Sequence, residues 1–384
     1  MYIFVLYGVL ALFAAADIIR HSRVTKSAGI LICIALLVFF AVRFNLGPDT
    51  GQYELMFTYA DDIIEMVKSL EVKRNQLFII ITWGLRHLVK TYPMYVLVLN
   101  CVSLLIFAAV VRKYSKSYLL SALIFVGGGL LEVYYSSGVR QCLAMMIFFY
   151  AFYNHLRRKE YFWYAVFCLL AALIHDTALF GLPLIPLHIF RHSIMKHKYI
   201  WAGCACAAAA ACFIVVGRIL PGVPEEAMPA FLRHFSIYFQ QQSFSIMGIG
   251  MQGVFLLMTG ILYWWADRSK LKDFDHFQVI VIVFGFIFYM AVCMYPQASR
   301  ITDMWQMVFV ILLPALFDAI EDWRKKAVGV LAVILLHGYL LYADMSFKIS
   351  RLNKFYDADM TLADYPYITV FETEKCEAWS VVEE

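Results

Sequence analysis

QLFIIITWGLRHLVKTYPMYVLVLNCVSLLIFAAVVRK, residues 76–113, holds two apolar runs of unequal length. Residues 94–111 approach the roughly 20 residues that a helix needs to cross a bilayer, and Arg112 and Lys113 follow at once. Residues 76–89 are shorter and contain Arg86 and His87. A run of that kind is more often re-entrant or interfacial than spanning. Whether it crosses decides which side of the membrane the whole upstream chain occupies.

The same alternation fills the chain. Of 384 residues, 62% are hydrophobic and 16% are charged, far less charge than a water-soluble domain carries. Apolar runs fall near 2–19, 28–42, 76–89, 94–111, 118–135, 139–156, 160–175, 177–190, 199–217, 247–266, 277–295, 302–319 and 327–343. Backbone that meets lipid must satisfy its own polar groups, so the expectation is an all-α, polytopic transmembrane bundle. No internal repeat or low-complexity linker divides it, and residues 1–343 read as one transmembrane domain. The first run lacks the basic region and cleavage site of a signal peptide, so it is expected to stay as a membrane helix. The net charge of +4 comes from short basic clusters between apolar runs, which is topology information and no sign of nucleic acid. Eight of the nine cysteines lie inside apolar runs without metal-type spacing and read as packing residues.

Lys/Arg-rich loops favour the cytoplasm. Arg157 to Lys159, Arg191 with Lys196 and Lys198, Arg268 with Lys270 and Lys272, and Arg324 to Lys326 agree on that side. Arg20, Arg23 and Lys26 agree with Arg112, Lys113 and Lys116 only if 76–89 does not span. This predicts about 12 spanning helices plus a re-entrant or interfacial segment near 76–89, with both termini outside. The outer segments are then loops 43–75 and 218–246, the short stretches 136–139, 175–177 and 296–301, and a polar tail over 344–384.

That partition gathers the unusual residues on one face: Arg43, Arg140 in SSGVRQCLA, His175 in LIHDTAL, and Arg300 in YPQASRITDMW. A charge within a membrane helix costs a few kcal/mol or more unless it is paired or faces a wet cavity. Three arginines and a histidine at one depth therefore suggest a shared cavity open to the outside. Guanidinium forks onto phosphate or carboxylate oxygens, so such a cavity suits a pyrophosphate. The plain alternative is that each arginine snorkels to the headgroups. Arg140 has the most polar company, with Gln141 beside it and Glu132, Tyr134 and Tyr135 just upstream. His175 can serve as a base or proton donor, or it only lines a turn while Asp176 or Thr177 caps the next helix. Gly47-Pro48 makes a turn, and Asp49 with Gln52 fits a capping box. Asp49, Tyr53 and Phe57 then share one face of a short surface helix, expected to continue through YADDIIEMVKSL. In the loop 218–246, Arg233, His234, Phe235, Tyr238 and Phe239 could meet sugar rings or form an interfacial belt. His337, mid-helix, reads as a satisfied core group. The glycines at 127–129 read as a site of close helix packing. No phosphate-cradling loop, HExxH or GxSxG is present, so no cofactor or metal is expected.

At these residues the chain resembles the EpsG-type, Wzy-like exopolysaccharide repeat-unit polymerases of bacterial plasma membranes. Arg43 followed by Gly47, Asp49 and Tyr53, then VRQCLA, HDTAL and ASRITDMW, follow that family's motif order over most of the chain. Pro48 stands where a small residue is expected, and Trp305 where a tyrosine or phenylalanine is. The resemblance implies transfer of a growing glycan from undecaprenyl pyrophosphate onto the next lipid-linked oligosaccharide repeat unit, outside the plasma membrane, without nucleotide sugar or metal. It implies catalytic roles for His175, Asp49, Arg140 and Arg300, with Arg43, Tyr53, Gln141 and Thr177 around the substrate; Tyr135, from the polar patch before Arg140, and Arg233, from the loop 218–246, are expected to join them. Arg140 and Arg300 come first for the pyrophosphate, and His175 or Asp49 is the base. Partners would be the bilayer, the lipid-linked oligosaccharide, and a flippase and chain-length regulator of the same pathway. Three other readings stay open from the residues: a GT-C-like transferase using a polyprenyl-phosphate sugar, a lipid-linked glycan flippase, and a membrane acyltransferase.

Overall fold

The computed structural model describes residues 2–20, 23–44, 50–60, 76–128, 138–214, 246–293, 302, 304–356, 361–362 and 368–372. Asp49, Tyr135, Arg233 and Arg300 lie outside them, as do the acidic residues after Ala60. Among the described residues the regular structure is helical, and the chain divides into two compact units, residues 1–179 with 322–384 and residues 180–321.

The first unit contains α1 (Tyr2–Arg20), α2 (Arg23–Ala41), α3 (Thr50–Thr58), α4 (Gln76–Leu88), α5 (Tyr92–Tyr114), α6 (Tyr118–Gly127), α7 (Val139–Asn154) and α8 (Tyr161–Ala172). The second contains α9 (Leu184–Ile189), α10 (Arg191–Lys196), α11 (Lys198–Ile214), α12 (Ile246–Trp265), α13 (Asp273–Val292) and α14 (Phe309–Ala319). The last helix, α15 (Trp323–Tyr356), returns to the first unit.

In the first unit α7 is the centre. It is buried on nearly all sides between α5 and α8, because its residues are apolar around the whole helix. Phe149 meets Phe107 of α5, and Phe148 meets Tyr164 of α8. α5 begins with Pro93 in its first turn and ends on Arg112 and Lys113, both suited to the helix dipole. Ser117 caps α6 by accepting from the Leu120 N–H. The glycines act as expected where they are described. A Cβ on Gly127 would stand 2.7 Å from His337 Cβ and 2.8 Å from the Tyr7 ring, so α6, α15 and α1 meet there without side-chain spacers. The Tyr7 hydroxyl donates to the Ile334 carbonyl at 2.6 Å. His337 is a core group whose Nδ1–H donates to the Val333 carbonyl.

The helices of this unit have two distinct ends. Tyr114 packs on Tyr153 and Lys113 donates to Asn154, so α5 and α7 run parallel with Arg112, Lys113 and Arg157 together at one end. The other end holds the last turn of α2, α3, and the first turns of α5 and α7. The short α4 belongs wholly to that second end. Its Leu77 N–H donates to the Leu173 carbonyl, Thr82 hydrogen-bonds Tyr95, and Arg86 sits 4.9 Å over the Phe57 ring. One face of α4 is buried through Phe78, Ile79 and Thr82, while Ile80 and Leu88 are exposed. That is the amphipathic pattern of a helix lying on a surface.

Two of the expected runs change. Among the described residues, five helices are long and apolar enough to cross a membrane: Tyr2–Ile19, Tyr92–Tyr114, Gly248–Trp265, Asp273–Ala291 and Trp323–Ser350. Several shorter apolar helices accompany them, and the expected count of 12 is not established. The run at 177–190 is not one helix. It is a 3-10 segment, Asp176–Gly181, followed by α9 and α10, because Pro183 and Pro186 lack the N–H groups that a continuous helix needs. Conversely α15 continues to Tyr356, past the end of the apolar run at 343.

In the second unit, α13 packs on α11 and α12. Arg191 is buried and pairs with Asp273 at 2.7 Å. Trp305 fills the space beside Gly285 and stacks edge-on against Phe288. Its indole N–H donates to the Phe180 carbonyl at 3.1 Å. The large indole is thus an anchor within the second unit, joining Trp305 to Phe180 and Phe288.

Candidate functional site

Arg43 follows directly on α2, and the chain around it is held by distant residues. The segment 42–44 pairs antiparallel with 368–370: Phe44 N–H donates to Ile368 O at 2.9 Å and Val370 N–H to Val42 O at 2.8 Å. Ile368 and Val370 are both buried. From α5, the Asn100 amide donates to the Arg43 carbonyl at 3.2 Å. Helix termini leave carbonyls without partners, and here a side chain and the tail supply them. The Arg43 residue itself is only 3% exposed. An arginine this buried does not snorkel, so the plain alternative fails for it.

Tyr53, on α3, is buried against Phe78 of α4, and Phe57 packs on Tyr92 and Tyr95 of α5. The Tyr92 hydroxyl donates to the Thr50 carbonyl at 3.2 Å, which fixes the start of α3. The Tyr95 and Thr82 hydroxyls are 2.9 Å apart, and Thr82 also donates to the Phe78 carbonyl. Tyr95 therefore donates to Thr82. Arg140, the second residue of α7, lies within electrostatic range of the Tyr95 hydroxyl. Gln141 is buried, and its Nε2 has no hydrogen-bond partner among the described residues.

His175 closes the turn after α8 and is 6% exposed. Its backbone N–H returns to the Ala171 carbonyl at 2.8 Å. The Thr177 N–H donates to His175 Nδ1 at 3.4 Å, and the Thr177 hydroxyl lies 2.8 Å from the same nitrogen. A nitrogen that accepts an N–H carries no proton of its own. The hydrogen-bond pattern therefore assigns the neutral ring's proton to Nε2. Thr177 orients the ring, so its role goes beyond capping.

Arg43, Tyr53, Arg140, Gln141, His175 and Thr177 thus stand on segments that meet at the second end of the first unit. Asp49, Tyr135, Arg233 and Arg300 are not located. Three further groups belong to this end: Tyr95, Thr82 and Asn100. Each is a polar residue within an apolar run, the signal that could have found them. α15 carries another polar pair, Lys348 with Asp344, 3.1 Å apart and with side chains 7% and 8% exposed.

No curated protein and no solved structure gives a significant match to the chain. The EpsG family model matches residues 28–356, most of the chain, a span that begins in α2 before Arg43 and ends at the last residue of α15. The chain belongs to the EpsG family, a family of Wzy-like polymerases.

Proposed function

We propose that the chain is a membrane glycosyltransferase that lengthens a polysaccharide from undecaprenyl-pyrophosphate-linked repeat units on the extracytoplasmic side of a bacterial plasma membrane. The observation that carries this reading is that the segments bearing Arg43, Arg140 and His175 share one end of the first unit, in a chain of a polymerase family. The acceptor sugar hydroxyl attacks the anomeric carbon of the growing glycan. The bond from that carbon to the pyrophosphate oxygen breaks, and the electron pair leaves on the oxygen. The acceptor's proton goes to a base.

Charge grows on the pyrophosphate as that bond breaks. Fixed guanidinium groups stabilise it more in the transition state than in the ground state, and this difference is what accelerates the step. Arg140, half-buried at the start of α7, and Arg43, held by the tail and Asn100, take this role, and Arg300 is proposed to share it. The Nε2–H of His175 is a donor, so His175 hydrogen-bonds the departing phosphate. Proton acceptance then falls to Asp49. Tyr53, Gln141, Thr177, Tyr135 and Arg233 complete the substrate surface. A flippase and a chain-length regulator of the same pathway are the expected partners.

Polymer length in a strain lacking the native gene tests the assignment. Single alanine replacements of Asp49, Arg140, His175 and Arg300 are each expected to abolish long polymer at normal protein levels. Full-length polymer from all four sinks the site. His175→Gln separates donor from base. It keeps a donor, so it should retain more polymer than His175→Ala, whereas equal loss in both means the ring must accept a proton. Orientation is read from a lone cysteine at position 49, in a background cleared of the nine native cysteines. Labelling by an impermeant reagent in intact cells is expected, and labelling only after permeabilisation contradicts it.

A further inference from the structure

A second feature of the first unit runs along its side, from Phe40 in the last turn of α2 to Arg112 at the opposite end. α2, α5 and α6 enclose a cleft of about 400 Å³. Its depth is lined by Phe107 and Phe125, whose ring centroids are 4.2 Å apart and which are both buried. Ala108 and Ala122 line it with only a methyl group each, which leaves the room. Ile30 and Ile34 line it while 43% and 52% exposed, so the cleft opens sideways past them. Between α2 and α6 the gap narrows at Gly29, where a Cβ would stand 3.0 Å from the Leu119 side chain. Such a volume, apolar almost throughout and opening toward lipid, is filled at least cost by a hydrocarbon chain. Water finds no partners there, and an empty cleft forfeits the dispersion contacts of its lining.

Chemistry at one end of the cleft says what the chain is attached to. Arg112 is the single charged residue of the lining. It is exposed, in the last turn of α5, and its guanidinium has no hydrogen bond or ion pair among the described residues. Tyr118 lines the same end and donates through its hydroxyl to the Arg112 carbonyl at 3.3 Å. The neighbouring cations are differently engaged: Lys113 donates to Asn154, and Arg157 lies over the Tyr114 ring. Two carboxylates nearby are already engaged. Asp17 accepts from the Ser117 hydroxyl and lies within electrostatic range of Cys33, while Glu160 pairs with His155 and Arg158. Arg112, Lys113, Lys116, Arg157 and Arg158 outnumber them.

We infer that this cleft is a binding site for an anionic glycerophospholipid, with one acyl chain between α2, α5 and α6 and its phosphate on Arg112. The lipid comes from the leaflet at the Arg112 end, opposite the end that holds Arg43 and His175. It is therefore a separate site from the proposed catalytic one and does not rest on the polymerase reading. A planar guanidinium takes two phosphate oxygens at once, and the positive surroundings favour a headgroup with net negative charge over a zwitterion.

Native mass spectrometry on the purified full-length protein reads this directly, with phosphatidylglycerol and phosphatidylcholine titrated in turn. Wild type should prefer phosphatidylglycerol by roughly fivefold, the effect of one arginine near a lipid surface. Arg112→Gln, at an exposed position, should erase that preference while leaving a chain-bound lipid. Ala108→Phe should lower binding of both lipids, with thermal melting confirming that it folds. Equal binding of the two lipids by wild type overturns the proposal, as does a preference that survives Arg112→Gln. Binding of undecaprenyl phosphate without phosphatidylglycerol also overturns it and assigns the cleft to a polyprenyl chain.

Discussion

The two ends of the first unit carry the same residue type in opposite states. At one end Arg43 is nearly inaccessible, and its backbone is gripped by Asn100 from α5 and by residues 368–370 from the far end of the chain. At the other, Arg158 is 57% exposed and touches Glu160 only at 4.0 Å, while Arg157 rests on an aromatic ring. A buried guanidinium is costly unless the fold uses it, and here a tail and an amide hold the backbone that carries it. The exposed cluster costs little and records topology. On the proposed function, burial and backbone support, rather than charge itself, separate the arginines assigned to the substrate from those assigned to orienting the chain.

The largest effect should fall on the buried side of that contrast. Arg43→Ala and Arg140→Ala are each expected to slow polymer formation by about a hundredfold or more. Arg158→Ala should leave it within error, and equal losses at both ends would break the distinction. Next comes the tail. Ending the chain at residue 360 removes the pairing partner of 42–44, and polymer should fall nearly as far as in Arg43→Ala, with protein still inserted in the membrane. Normal polymer from that truncation would mean Arg43 needs no strap. A smaller effect is expected for Asn100→Leu. It strips the donor from the Arg43 carbonyl and should cost roughly 1–3 kcal/mol of thermal stability, with a partial loss of rate. The smallest is Tyr95→Phe, which removes one neutral hydrogen bond, about 1 kcal/mol, and shifts the melting midpoint by a few degrees at most.

Much of this end was legible in the sequence. Positive clusters in alternate loops placed Arg43, Arg140 and His175 on one face, and that inference depended on 76–89 not crossing. In the structure the partners of α4, Leu173, Tyr95 and Phe57, all belong to one end of the first unit. The break in 177–190 was visible too, since Pro183 and Pro186 stand inside that run and deny it a helix ladder. Other features had no local signal. The pairing of 42–44 with 368–370 joins residues far apart in the chain over a single bridge, and no periodicity announces it. The last turns of α15 were hidden by composition, because Asp344 and Lys348 read as polar tail. One helical step apart, they pair with each other and turn inward. Pairing between charges four apart on a helix is a pattern the sequence displays, and it outweighs their polarity.

The most direct test is a rate measured on purified protein with a defined undecaprenyl-pyrophosphate-linked repeat unit, following polymer length for wild type, Arg140→Ala and Arg158→Ala. The account predicts polymer from wild type and Arg158→Ala at the same rate, and about a hundredfold less from Arg140→Ala at equal melting temperature. Polymer from Arg140→Ala at the wild-type rate contradicts it.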